Sequence, residues 1–134
     1  MQSSFYIIVP CYNEEKNIDE FISETNSSIN KNKNFKILFI DDGSNDKTWE
    51  KIKSQCDKNE KVVGLKLSRN FGKDSAIEAG LNTIEKLSDF DFVIIIDADM
   101  QHPINKINEM IDIWEDKNKI ITTYKTNNVE SIFR

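Results

Sequence analysis

Apolar residues along this chain fall into short uniform runs that alternate with longer stripes at helical spacing. The runs Phe5–Pro10, Phe35–Ile40, Val62–Leu67, Phe92–Ile96 and Ile120–Tyr124 are rich in aromatic and β-branched side chains, so each predicts a strand. Phe92-Val93-Ile94-Ile95-Ile96 is too short for a helix and too uniformly apolar for a half-exposed strand, and it reads as covered on both faces, as in a parallel sheet. Between the runs, Ile18, Phe21, Ile22 and Ile29 follow helical spacing after Asn13-Glu14-Glu15, whose side chains suit a helix amino terminus. Trp49, Ile52 and Cys56 repeat the pattern, as do Ala76, Ile77, Gly80, Leu81, Ile84 and Leu87. A fourth stripe joins Ile107, Met110, Ile111 and Trp114, with Pro103 near the first turn. Each stripe reads as core. Strands alternating with helices imply right-handed crossovers and a mostly parallel α/β sheet with helices on both faces.

The polar residues between these elements gather where each strand ends. Pro10-Cys11-Tyr12-Asn13-Glu14-Glu15 follows the first strand, Asp41-Asp42-Gly43-Ser44 the second, Ser68-Arg69-Asn70-Phe71-Gly72-Lys73 the third, and Asp97-Ala98-Asp99-Met100-Gln101-His102-Pro103 the fourth. Neighbouring strands lie about 4.8 Å apart, so these segments share one rim and can converge on one ligand. Asp97 and Asp99 place two carboxylates at the carboxyl edge of the sheet, where open α/β folds bind ligands. Hard oxygen ligands there suit Mg²⁺ or Mn²⁺ bridging nucleotide phosphates. A plain polar turn after a core strand is the other reading of the same residues. Likewise Asp42-Gly43 is a common turn, Asn13 can cap a helix, and Arg69 with Lys73 can solvate a loop. Turns alone leave unexplained why carboxylates, cations and an aromatic meet on one edge.

Composition narrows the class. With 134 residues, 38% hydrophobic and 31% charged, the chain suits one domain with a real core. A net charge of -5 and the lack of a Lys/Arg block argue against nucleic acid as the main partner, although Lys66, Arg69 and Lys73 suit a small phosphate ligand. Cys11 and Cys56 carry no metal-ligand spacing and nothing resembles a secretory signal, so a reducing cytoplasmic setting is the default. No apolar stretch approaches the roughly 18 to 20 residues that cross a bilayer.

Taken together, the four segments resemble the nucleotide-sugar-binding half of a family 2 glycosyltransferase with a GT-A fold, over nearly the whole chain. Within that family, Ser68-Arg69-Asn70-Phe71-Gly72-Lys73, Ala79-Gly80-Leu81 and Asp97-Ala98-Asp99-Met100-Gln101-His102-Pro103 are similar to the branch of dolichol-phosphate mannosyltransferases and bacterial polyprenyl-phosphate glucosyltransferases. The resemblance implies a Rossmann-like nucleotide-binding fold and metal-dependent, inverting transfer from a UDP- or GDP-sugar to an acceptor, a polyprenyl phosphate in this branch, as in cell envelope biosynthesis. It implies that Pro10, Tyr12, Glu14 and Asp42 contact base and ribose, that Asp97, Asp99 and Gln101 hold Mg²⁺ or Mn²⁺ at the diphosphate, and that Ala98 approaches the nucleotide through its backbone. Asp97 and Asp99 are thereby the expected catalytic residues, with Arg69 and Lys73 as charge near the diphosphate or the acceptor phosphate.

A lipid phosphate is already an anion near neutral pH, so a strong general base is less necessary than for a sugar hydroxyl. His102, the single histidine, reads as a loop residue ahead of a base. Two departures stand out: Ile104 and Asn105 replace the usual proline and glutamate, and Tyr124-Lys125 through Arg134 resembles the start of the acceptor-binding region. Residues 1–134 are therefore expected to be the nucleotide-sugar-binding part of a catalytic domain truncated at its carboxyl end. Such a part would be weak or inactive as a transferase alone and able to self-associate through exposed apolar surface, with association at the cytoplasmic face of a membrane expected through the missing region.

The alternatives are a family 2 transferase with a saccharide acceptor and a non-catalytic nucleotide-sugar-binding fragment. A response-regulator receiver fits less well because its acidic pair follows the first strand, whereas Asp41-Asp42 follows the second. An aspartyl-nucleophile phosphatase opens with its Asp-x-Asp. A dinucleotide oxidoreductase needs a Gly-x-Gly-x-x-Gly, and none follows any strand.

Overall fold

The computed structural model describes residues 3–99, 104, 106–117, 122–126 and 129–133. Its elements are β1 (Ser4–Cys11), α1 (Ile18–Ser28), β2 (Asn34–Asp41), α2 (Thr48–Lys58), β3 (Val62–Lys66), α3 (Lys73–Leu87), β4 (Phe92–Ile95), α4 (Lys106–Lys117), β5 (Thr122–Thr126) and β6 (Val129–Phe133). The first four strands form one parallel sheet in the order β3-β2-β1-β4. The strand order reverses between β1 and β4, which puts a topological switch point beside β1, the position at which open α/β sheets place ligands.

Alternation along the strands sorts the core into two layers. Phe5, Ile7 and Val9 of β1 and Phe35, Ile37 and Phe39 of β2 face one side, where they pack with Phe21, Ile52, Ile107 and Ile111 from α1, α2 and α4. Tyr6, Ile8, Leu38 and Ile40 face the other side, covered by Ala76 and Ile84 of α3. β1 and β2 are interior, and Ile7, Ile8, Ile37, Leu38, Phe39 and Ile40 are fully buried. Burial of such a side chain contributes about 1.5–3 kcal/mol each, so this strand pair anchors the fold.

Three sequence expectations change. β4 is not covered on both faces: Ile94 and Ile96 are buried, but Ile95 between them is 47% exposed. The reason is position, because β4 is the edge of the described sheet and α3, the helix on that face, packs over β1 and β2. The fifth run becomes β5, which pairs antiparallel with β6 in a separate two-stranded sheet. Strands only two residues apart cannot make the long crossover that parallel pairing needs. Asn13 does not cap α1. A turn closed by Asn17 N–H on the Glu14 carbonyl at 2.9 Å intervenes, and α1 starts at Ile18. Among the described residues no helix is long and apolar enough to cross a membrane.

Candidate nucleotide and metal site

Parallel register aligns the carboxyl ends: Cys11 of β1 pairs with Asp41 of β2, which pairs with Lys66 of β3. On the other side Ile8 pairs with Ile95 of β4, so Asp97, two residues on, comes level with Pro10. The loops leaving these ends enclose a cleft of about 280 Å³ lined by Pro10, Cys11, Tyr12, Glu14, Asp42, Asn70, Gly72, Lys73, Asp97, Ala98 and Asp99. Eight of the expected site residues therefore meet here: Pro10, Tyr12, Glu14, Asp42, Lys73, Asp97, Ala98 and Asp99. Arg69 does not line the cleft, and its guanidinium lies 4.4 Å from the centre of the Phe71 ring. Gln101 and His102 lie outside the described residues.

Hydrogen bonds between backbone and side chains lock the loops after β1 and β2 to each other. The Asn13 N–H donates to Ser44 Oγ at 2.9 Å, and the Asn45 N–H donates back to Asn13 Oδ1 at 2.8 Å. Asn13 holds this position with φ 54°, a left-handed conformation that asparagine tolerates better than most residues. The Glu14 N–H donates to Thr48 Oγ1 at 2.9 Å, while that hydroxyl donates to Asp46 Oδ1 at 2.5 Å. Asp46 accepts the Thr48 N–H at 2.9 Å and the Glu15 N–H at 3.3 Å. Its limited burial pushes the carboxyl up, but the Thr48 hydroxyl and these amides outweigh that and hold it below the usual aspartate value. Tyr12, 44% exposed, presents its ring at the rim while its hydroxyl accepts from Asn45 Nδ2 at 3.3 Å. Glu14 accepts from Asn17 Nδ2 at 2.6 Å.

The loop between β3 and α3 is held from below. Both carboxylate oxygens of Asp42 accept backbone amides, Oδ1 from Phe71 at 2.8 Å and Oδ2 from Gly72 at 3.0 Å. Gly43, at φ 68°, lets this loop approach: a Cβ there would stand 2.3 Å from the Arg69 carbonyl carbon and the Asn70 nitrogen. Across the cleft, Lys73 Nζ lies 2.6 Å from Asp97 Oδ1. Ala98 is buried and lines the cleft between the exposed Asp99 and the half-exposed Asp97.

Sequence reasoning missed Asn70, Gly72 and Cys11 as lining residues, although all three lie in the segments that it marked. It also missed Asp41, Asp46 and Thr48 as supports. Asp46-x-Thr48 at the start of α2 is a local side-chain-to-backbone turn that was open to detection. Asp41 is fully buried, with Oδ1 accepting the Ser44 N–H at 3.1 Å and Oδ2 without a partner among the described residues. Cys11 is buried beneath the rim, and burial, then Glu14, Asp41 and Asp97, push its thiol well above the usual range, so it stays protonated and inert.

Two carboxylates, separated by a buried alanine at the mouth of a cleft and drawing a lysine ammonium to 2.6 Å, have the chemistry of a cation site. Among the described residues no third His, Cys, Asp or Glu joins them. With its parallel sheet and helices the domain has the fold of GT-A glycosyltransferases of known structure. Over 90% of this chain it superposes with TM-score 0.69 and 22% identity on S. aureus TarS 1-349, of which it covers 34%. It superposes with TM-score 0.70 and 20% identity on 35% of the mannosyltransferase PcManGT from Pyrobaculum calidifontis, solved with GDP-Man and Mn²⁺. The chain belongs to glycosyl transferase family 2, whose family model matches residues 6–133. An undecaprenyl-phosphate 4-deoxy-4-formamido-L-arabinose transferase from Yersinia pestis (strain Pestoides F) is 30% identical over 130 residues. That match takes in 96% of this chain but 38% of the Yersinia protein.

Proposed function

We propose that this chain is the donor-binding part of a metal-dependent, inverting glycosyltransferase that takes a sugar from a UDP- or GDP-sugar and delivers it to a polyprenyl phosphate. The observation that carries this reading is the single cleft that unites Tyr12 and Glu14 with Lys73, Asp97 and Asp99. Pro10, Tyr12 and Glu14 offer a flat apolar wall, an aromatic ring and an acceptor to a nucleoside, with Asp42 behind them. Asp97 and Asp99, joined by Gln101, would hold Mg²⁺ or Mn²⁺, which supplies positive charge to the departing diphosphate when bound. Lys73 adds a cation at the same end, and charge preorganised towards a leaving group contributes several kcal/mol of transition-state stabilisation in such sites. Arg69, its guanidinium over the Phe71 ring and outside the cleft lining, would serve as charge near the diphosphate or the acceptor phosphate.

Support for the acceptor comes from the Yersinia relative, whose name specifies undecaprenyl phosphate. Support for the donor and metal comes from solved GT-A neighbours, one with UDP-GlcNAc and one with GDP-Man and Mn²⁺. Thermal shift with a panel of nucleotide-sugars, each with and without Mn²⁺, tests the reading. A true donor at about 100 times its dissociation constant stabilises the fold by roughly 2.7 kcal/mol. No shift for any UDP- or GDP-sugar with Mn²⁺, or equal shifts in excess chelator, would overturn it.

A further inference from the structure

The cleft lining carries four carboxylates, Glu14, Asp42, Asp97 and Asp99, and among the described residues a single cation, Lys73. Glu14 already accepts from Asn17 Nδ2, and Asp42 accepts two backbone amides. Asp97 instead takes the lysine: Lys73 Nζ stands 2.6 Å from its Oδ1, with the lysine exposed and the aspartate half-exposed. A pair this open to water parts at little cost. Lys73 is also the first residue of α3, a helix of 15 residues. The dipole of a helix opposes a cation in its first turn and favours an anion there, so nothing in α3 itself calls for an ammonium at this position. Gly72 before it holds φ 105°, a conformation that side chains rarely adopt, although a Cβ there would meet nothing within 4 Å. Backbone conformation, and not crowding, therefore requires glycine at the step that leads into Lys73.

From this geometry we propose that Lys73 is a cation that changes partners: it neutralises Asp97 before the donor arrives, and moves to the diphosphate once a divalent cation sits beside the acidic pair. The proposal rests on the donor-binding reading above and adds an order of events to it. An ammonium and a dication beside the same carboxylate repel each other, and the flexible four-carbon stem of lysine allows the exchange without a shift of the backbone. A diphosphate that enters among four carboxylates gains a charge-assisted partner from this exchange.

The signature of such an exchange is a pair of effects of opposite sign. The experiment compares wild type, Lys73→Met and Lys73→Arg by two measurements: nucleotide-free Mn²⁺ binding, read by electron paramagnetic resonance, and UDP and GDP binding at saturating Mn²⁺, read by calorimetry. Lys73→Met is expected to tighten Mn²⁺ alone about threefold, because no ammonium competes for Asp97. The same variant is expected to weaken both nucleotides roughly tenfold, because no ammonium reaches the diphosphate. Lys73→Arg keeps the charge and is expected to return both values towards wild type. Effects of one sign would overturn the proposal: if both bindings weaken, Lys73 only organises the acidic pair, and if both tighten, it only blocks the cleft. A change in one binding without the other would overturn it too, since the ammonium then has a single partner. Each of these results leaves the donor reading standing. Wild type that binds neither nucleotide with Mn²⁺ would instead remove that reading, and this inference with it.

Discussion

The two sides of the cleft are built by different means. After β1 and β2, the loops are laced to each other by short hydrogen bonds among Asn13, Glu14, Ser44, Asn45, Asp46 and Thr48, largely to backbone. After β3 and β4, the loops meet across the cleft through the Lys73–Asp97 ion pair, whose side chains are 57% and 36% exposed. The first side is a preorganised surface, because many of its partners are backbone groups fixed by the strands. On the second side the β3–α3 loop is gripped from below by Asp42, but it meets the loop after β4 by charge, and exposed charge pairs contribute little and exchange partners readily. On the donor-binding proposal, this division would suit a domain that holds a nucleoside while admitting and releasing a diphosphate with its cation.

The largest expected effect falls on the charged side. Asp99→Asn should lower Mn²⁺-dependent affinity for UDP or GDP by on the order of 100-fold in calorimetry. Its melting temperature should match wild type, because Asp99 is exposed. A large loss of stability in this variant would mean that the charged side is structural after all, and the contrast would break.

On the laced side the cost should instead appear as stability. Thr48→Val strips the partner from the Glu14 amide and the hydroxyl donor from Asp46, and it does so at a fully buried position. Unfolding in urea should show a loss of about 2 kcal/mol. A loss within about 0.5 kcal/mol would show that the loops stay in place without their lacing.

Lys73→Met sharpens the comparison from the other direction. Removal of an exposed ion pair should change stability by no more than about 0.5 kcal/mol. Nucleotide-free Mn²⁺ binding, followed by electron paramagnetic resonance, should tighten about threefold, since the ammonium no longer competes for Asp97. Weaker Mn²⁺ binding would show that Lys73 organises the acidic pair and does not compete for it.

The smallest effect concerns Cys11, beneath the laced loops. At pH 8 iodoacetamide should modify the half-buried Cys56 well before the buried Cys11, although burial raises both thiols. Because the folded Cys11 keeps its proton while the unfolded thiol ionises at about 8.5, its contribution to stability is intact below that pH and declines as pH rises above it. Equal labelling of the two cysteines would show that the laced side opens more freely than its hydrogen bonds imply.

Much of this was legible in the chain itself. Apolar runs and helical stripes specify four parallel strands and their helices, because a period of two or of 3.6 leaves a mark in sequence and burial follows from it. The placement of polar segments after each strand follows too, since the carboxyl ends of parallel strands share one edge, and eight of the expected site residues do line one cleft. Other features depend on neighbours remote in sequence. Ile95 looks like its buried neighbours Ile94 and Ile96, and only the sheet order, with β4 at the edge, leaves it 47% exposed. Asp42 is one of two adjacent aspartates with no local sign of which does what. Chain crossover brings Phe71 and Gly72, about thirty residues away, to its two oxygens. Local periodicity determined the elements and the edge on which the chemistry sits. Long-range packing alone decided which carboxylate grips a loop and which one meets a lysine, because those outcomes depend on distances that sequence spacing does not encode.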